Sequence, residues 1–245
     1  MMMVFNLSKT EFTAYMDCPL KFYLLKQQNQ KCEEGPRGKR DHRYYAPGLG
    51  NGIHWHWKLN QFLKEYKTDL LVDTPPLDVF KSDPLLALFW DHERHRLAVD
   101  PDYWFPLAFE LYLHTSTMRG IIDRVDPLDD HSCCLVEYKS SRERSGFLYE
   151  ELLFYALLAT RSKVFIQKIP QEVVQVGCYF YETGEYLSKE VTPSILTDFE
   201  EFLSSTRDEI SLGTWSPKKN CSLLKADCHH AVLCPLIPER LKYRT

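Results

Sequence analysis

The chain has 245 residues, 44% of them hydrophobic and 13% aromatic, which is enough to fill a core and far from the composition of a disordered chain. Lys and Arg total 30 against 34 Asp and Glu, a net charge of −4, which excludes a polybasic nucleic-acid coat and leaves any nucleic-acid contact to local patches. The longest apolar run, Leu152 to Ala159, falls well short of the ~20 residues of a membrane helix, and Met-Met-Met-Val-Phe-Asn-Leu at the start is no secretory signal, so a cytoplasmic protein that contacts no membrane is expected.

Ser8-Lys9-Thr10-Glu11 fits a capping box, with Leu7 and Phe12 placed for a hydrophobic staple, and predicts a helix from Lys9. Cys18-Pro19 ends it and opens another carrying Phe22, Tyr23 and Leu25. Residues 35–47 form a loop in which Arg37, Lys39, Arg40 and Arg43 stand beside Tyr44 and Tyr45. Such a loop suits a phosphate backbone with bases stacked on the tyrosines, and equally a solvated connection. From Gly50 a turn feeds an amphipathic helix with Ile53, Trp57, Leu59 or Asn60, and Leu63 at helical spacing and His54 in its first turn. Pro75, Pro76 and Pro84 break the chain before a helix over Leu85 to Val99.

The period then changes to two. Phe109, Leu111 and Leu113 alternate with Ala108, Glu110, Tyr112 and His114 in one strand, and Met118 to Val125 and Cys133 to Lys139 follow as a hairpin joined through residues 126–130. Phe147 to Thr160 carries leucines, Tyr155 and alanines without a breaker and predicts a buried helix. Val173 to Tyr181 is a strand that turns through Glu182-Thr183-Gly184-Glu185 into another ending near Val191. Thr192-Pro193 then opens a helix that Gly213 closes. The sum is an α/β chain with a mixed central sheet and helices on its faces.

The chemistry sits on the middle strands. Residues two apart on a strand share a face, so Glu137 and Lys139 meet one bound group, and Asp123 on the adjoining strand reaches the same point if the two strands pair. Two carboxylates from neighbouring strands form a hard oxygen site for Mg²⁺ or Mn²⁺, and a lysine beside them neutralises charge developing on a phosphoryl group. Phosphodiester hydrolysis is the reaction implied. Ordinary ion pairs, Asp123 with Arg119 or Arg124 and Glu137 with Lys139, are the competing reading.

Gly50-x3-His54, Gly120-Ile121-Ile122-Asp123, Glu137-Tyr138-Lys139 and Glu151-x3-Tyr155 resemble the core motifs of the RecB-like branch of the PD-(D/E)XK nuclease superfamily. The resemblance covers nearly the whole chain and implies the restriction-endonuclease-like mixed sheet. It implies that His54, Asp123, Glu137 and the backbone carbonyl of Tyr138 bind the divalent ion, and that Lys139 assists catalysis beside Tyr155. The family has glutamine where Glu151 stands, the residue that orients substrate or a water. Glu110 is a candidate second carboxylate, or one half of an inward ion pair.

Eight cysteines call for a reason in a reducing compartment. Cys221-x6-Cys228-x5-Cys234-Pro235 and Cys18 resemble the ligands of RecB-like nucleases that carry an iron-sulfur cluster, which implies a 4Fe-4S cluster on those thiolates. The first spacing departs from the family's C-x2-C, since position 225 is Lys225, and His229 and His230 offer Zn²⁺ a competing site. Cys32, Cys133, Cys134 and Cys178 have no place in the pattern.

One nuclease domain over residues 1–245 is expected, with its core at 36–212 and residues 1–35 and 213–245 meeting as the cysteine lobe. The helix of His54 and the basic loop before it should form one wall of a DNA groove. The nearest resemblance is to exonucleases of CRISPR adaptation, which implies trimming of DNA ends, with single-stranded ends or overhangs as substrate and an integrase as a candidate partner. A repair or phage-derived nuclease of the same chemistry, and a non-catalytic DNA-end scaffold, are the alternatives. No P-loop is present, so the chain is not a recombination motor.

Overall fold

Ser8 closes a two-residue strand, β1 (Leu7–Ser8), and caps helix α1 (Lys9–Asp17). Its hydroxyl accepts the Glu11 N–H while the Glu11 carboxylate accepts the Ser8 N–H, as the capping box predicts. The computed structural model describes residues 6–20, 22, 23, 26, 49–141 and 148–213. The basic loop, the C-terminal cysteines and most of the expected cysteine lobe lie outside them.

Four helices follow: α2 (Leu49–Glu65), α3 (Lys67–Leu71), α4 (Leu77–Ser82) and α5 (Pro84–Val99). Gly50, expected in a turn, lies inside α2. The buried side of that helix is Leu59, Asn60, Phe62 and Leu63, whereas Trp57, expected on it, is 52% exposed. Strands β2 (Ala108–His114), β3 (Met118–Pro127) and β4 (Ser132–Lys139) form a meander. The chain continues through α6 (Leu148–Arg161), α7 (Lys163–Lys168), β5 (Glu172–Phe180), β6 (Glu185–Glu190) and α8 (Pro193–Leu212). Thr192 caps α8 with Pro193 in its first turn, and Gly213 ends it at φ 71°, a left-handed conformation that costs glycine little.

The six strands make one mixed sheet in the order β1-β3-β4-β5-β6, with β2 on the other edge of β3. Helices cover both faces. On one, α1, α6 and α8 bury Phe12, Phe154 and Phe199 against Ile122, Leu135 and Val176, with the Phe12 and Phe154 rings stacked at 5.5 Å. On the other, α2 to α5 bury Leu59, Phe62, Phe89 and Trp90 against Val136, Tyr138 and Tyr179. None of the described helices is long and apolar enough to cross a membrane.

Two features of β3 position the site. The first is a gap on one edge. Strand β1 pairs with it at Met118 and Arg119, and β4 pairs with it only from Arg124 to Pro127, while β2 runs along the opposite edge. Residues 120–123 therefore face neither β1 nor β4, and a notch opens there. The second is a change of face: Ile122 enters the first core, but Arg124, two residues on, is buried on the second side beside Glu93 and Tyr138. Glu110, facing this point from β2, has φ 48°. The twist also sends Phe109 to the second core while Leu111 and Leu113 enter the first, so these three residues do not share a face as their alternation predicts.

Candidate active site

The notch gathers side chains from β3, β4, α1, α2 and α6. Because the β3–β4 ladder stops at Arg124 and Val136, the Tyr138 N–H has no strand partner on that side, and the Asp123 carboxylate accepts it at 2.9 Å. A strand residue turns its N–H and C=O to the same edge, so the Tyr138 carbonyl faces the notch as well. The second Asp123 oxygen meets His56 Nδ1 at 3.0 Å. Burial pushes the Asp123 carboxyl up, but the His56 hydrogen bond and charge and the Tyr138 N–H outweigh it and hold it below the usual carboxylate range. Burial likewise opposes charge on His56, yet Asp123 and Glu137 raise it above the ordinary imidazole value.

Glu137 and Lys139 share a face of β4, with Lys139 Nζ 3.5 Å from Glu137 Oε1. That ammonium lies nearer Glu151 on α6, at 2.6 Å from Oε2. Lys9, the first residue of α1, completes the group, with its Nζ 3.0 Å from Glu137 Oε1 and 3.5 Å from Glu151 Oε2. Burial works against the Lys9 charge, but Glu137, Tyr155 and Glu151 around it hold its pKa well above the ordinary lysine value. One turn along α1, the Thr13 hydroxyl donates to the Lys9 carbonyl at 2.9 Å, and Glu151 Oε1 lies 3.4 Å from the same Oγ1. Tyr155 stands one turn after Glu151, its ring 5.7 Å from Lys9 Nζ. Burial and the Glu137 charge keep its phenol neutral well past its usual range.

The ion pairs offered as the alternative for Asp123 do not form. Arg119 turns to Glu11, and Arg124 makes a two-pronged pair with Glu93 at 2.6 and 3.0 Å and a third bond to Asp126 at 2.6 Å. Arg96 bridges Glu93 and Asp126 at 3.1 and 3.2 Å, so a buried charge network ties α5 to β3 directly behind the notch. The Glu137–Lys139 pair does form, inside the larger cluster.

Of the other sequence candidates, His54 does not reach the notch, and His56 of the same helix does. His54 lies on the exposed side of α2 with its ring toward Trp57, at 6.4 Å, and the helical step brings His56 to Asp123 instead. The orientation of α2 is fixed by Trp55, stacked at 5.2 Å on Tyr181, and by Lys58, which pairs with Asp83 and lies over the Trp55 ring. The inward ion pair offered for Glu110 is corrected: the residue is exposed. Cys18 is buried at the end of α1. Its expected companions Cys221, Cys228 and Cys234, and the DNA-contact candidates Arg37, Lys39, Arg40, Arg43 and Tyr44, fall outside the described residues.

Sequence reasoning missed Lys9, Thr13 and His56. The signal for His56 was present, because Gly52-x3-His56 repeats the spacing of Gly50-x3-His54. Lys9 left none, since its partner Glu137 is 128 residues away.

Among the described residues, no three His, Cys, Asp or Glu side chains are grouped to enclose a metal ion by themselves. Mg²⁺ does not need such a cage, since it binds through one or two carboxylates and leaves its other positions to water and phosphate. The buried Asp123 and Glu137 carboxylates fit that chemistry, with Lys9 and His56 as the cationic groups that now neutralise them. The sequence model of the PD-(D/E)XK nuclease superfamily matches residues 6–235, and a comparison with curated proteins finds no match. A match over almost the entire chain, on a mixed sheet flanked by helices, makes this chain a member of the PD-(D/E)XK nuclease superfamily.

Proposed function

We propose that the chain is a divalent-metal-dependent deoxyribonuclease that hydrolyses phosphodiester bonds at DNA ends. The observation that carries this reading is that Asp123 is tied to the Tyr138 backbone in the gap along β3, between Glu137 and Lys139, which pair with each other on β4. Asp123, Glu137 and the Tyr138 carbonyl would hold the ion, with His56 beside them in place of His54. Mg²⁺ or Mn²⁺ bound there supplies Lewis-acid polarisation of the phosphate and a lowered pKa for water. The protein's own groups do the rest. Lys139 neutralises charge that develops on the phosphate, Glu151 holds its ammonium in place, and Tyr155, kept neutral, has a phenolic proton to donate.

Trimming of single-stranded ends in CRISPR spacer acquisition, alone or beside an integrase, is the pathway that the cysteine pattern favours. The same pattern supports a 4Fe-4S cluster on Cys18, Cys221, Cys228 and Cys234, with Zn²⁺ as the alternative, and the basic residues from Arg37 to Tyr44 are the proposed DNA contacts. A single anaerobic preparation tests the whole. Mn²⁺-dependent shortening of end-labelled single-stranded DNA that falls about 10²–10³-fold in Lys139→Ala supports the nuclease. Iron near four per chain supports the cluster, and zinc without iron replaces it. DNA binding without hydrolysis under any divalent metal would overturn the enzyme in favour of a scaffold.

A further inference from the structure

Lys9 belongs to none of the nuclease motifs of the sequence, and its position is set by topology. Strand β1 occupies the edge of β3 that β4 leaves free, and α1 starts at the next residue, so its first side chain enters the gap. There it meets two carboxylates that also share Lys139: Lys9 lies 3.0 and 3.5 Å from Glu137 and Glu151, and Lys139 lies 3.5 and 2.6 Å from the same two oxygens. Two ammonium groups thus bracket one pair of acids.

A glutamine at 151 would bring no charge, and Lys139 alone would balance Glu137. With glutamate there, a single lysine faces two buried carboxylates and is drawn away from any phosphate. We propose that Lys9 is a positioning residue of the active site, the counter-charge that permits glutamate at position 151 and frees Lys139 to act on substrate. This inference rests on the nuclease reading of the site.

The test compares the full-length protein with Lys9→Met, Lys9→Arg, Glu151→Gln and the Lys9→Met/Glu151→Gln double variant. Two readouts are needed: binding of Mn²⁺ alone, followed by its electron paramagnetic resonance signal, and steady-state cleavage of end-labelled DNA. Lys9→Met should lower kcat about tenfold or more with little change in KM, the scale of one lost charge-assisted contact, and Lys9→Arg should recover most of it. In the Glu151→Gln background the Lys9→Met change should cost no more than about twofold, because the charge it balances is gone. Mn²⁺ should bind Lys9→Met about tenfold more tightly than wild type, since an ammonium no longer competes for Glu137. Equal losses in both backgrounds, with unchanged or weaker Mn²⁺ binding, would reduce Lys9 to a staple between α1 and the sheet and overturn the proposal. Wild type that neither binds Mn²⁺ nor cleaves DNA would remove the nuclease reading itself, a result distinct from a cleaving enzyme indifferent to Lys9.

Discussion

His54 and His56 are two positions apart on α2, which turns them about 200° around the helix axis, so only one can face the carboxylates. His56→Ala should therefore lower cleavage about 10–100-fold, as loss of a group that orients a metal-binding carboxylate does, while His54→Ala stays within about threefold. Reversed effects in steady-state kinetics would mean that α2 sits differently over the notch. A second histidine carries a pH signature. His92 is packed between Tyr179 and Tyr186, at ring distances of 4.7 and 5.1 Å, and burial, with Arg124 and His95 nearby, pushes it down to about 3 from 6.5. A depressed folded-state value means that its contribution to stability is complete above pH 6.5 and is lost as pH falls from there toward 3. Its neighbour Asp126 works in the opposite sense: burial and the Glu93 charge, against the pull of Arg124, raise it from 3.8 to about 6, so its contribution is complete below 3.8 and is lost as pH rises through 6. Substituting His92→Phe removes the first effect. The stability of the variant relative to wild type, from urea titrations, should increase by about 1 kcal/mol for each pH unit below 6.5. A pH-independent difference would show that His92 protonates freely in the folded state.

At the scale of elements, the signals that were legible are local ones. Helix α1 announces itself by its capping box, α8 by Thr192-Pro193 and Gly213, and β2 to β4 by a two-residue period and a turn-rich junction. Helices α3, α4 and α7 were not foreseen, because five or six residues complete too few turns to show a period. The face change on β3 was hidden for another reason: an irregular backbone at Glu110, opposite Asp123, alters which side a residue joins without altering the pattern of residue types. Two of the carboxylates and one lysine could thus be placed together from spacing alone, whereas their counter-ions came from elements whose contacts are entirely long-range. Gly120 shows how tightly one element is fitted to another. A methyl group there would lie 2.8 Å from Tyr155 Cε1 and 3.3 Å from Leu158, so in Gly120→Ala either the Tyr155 ring or β3 itself has to give way. The expected cost is about 1–3 kcal/mol in chemical denaturation, with cleavage reduced beyond what the remaining folded fraction explains, since Tyr155 belongs to the site. A variant as stable and active as wild type would mean that the ring has room to retreat.

Across the whole molecule, the sheet separates two apolar cores, and the side facing α5 is threaded by charge. Arg124, 1% exposed, holds Glu93 and Asp126 together beneath the strand that presents Asp123. Replacing it by an isosteric apolar residue does not return that region to a simple core, because two buried acids lose their partner. Arg124→Met should destabilise the protein by about 3–5 kcal/mol in urea unfolding, and a loss under ~1 kcal/mol would show that Arg96 alone satisfies both acids. The edge of β3 taken by Leu7 and Ser8 has a further consequence, for the time at which the enzyme comes into being. Lys9 and its partner Glu151 are separated by 142 residues, so during synthesis the segment around Ser8 has nothing to dock on until the strands and α6 have been made. At roughly 5–20 residues per second this is a wait of about 7–28 s, during which Lys9 stands apart from both carboxylates. The cluster of Lys9, Glu137 and Glu151 is thus assembled only once the chain has been made past residue 151, and its charges are matched by folding rather than by neighbours in sequence.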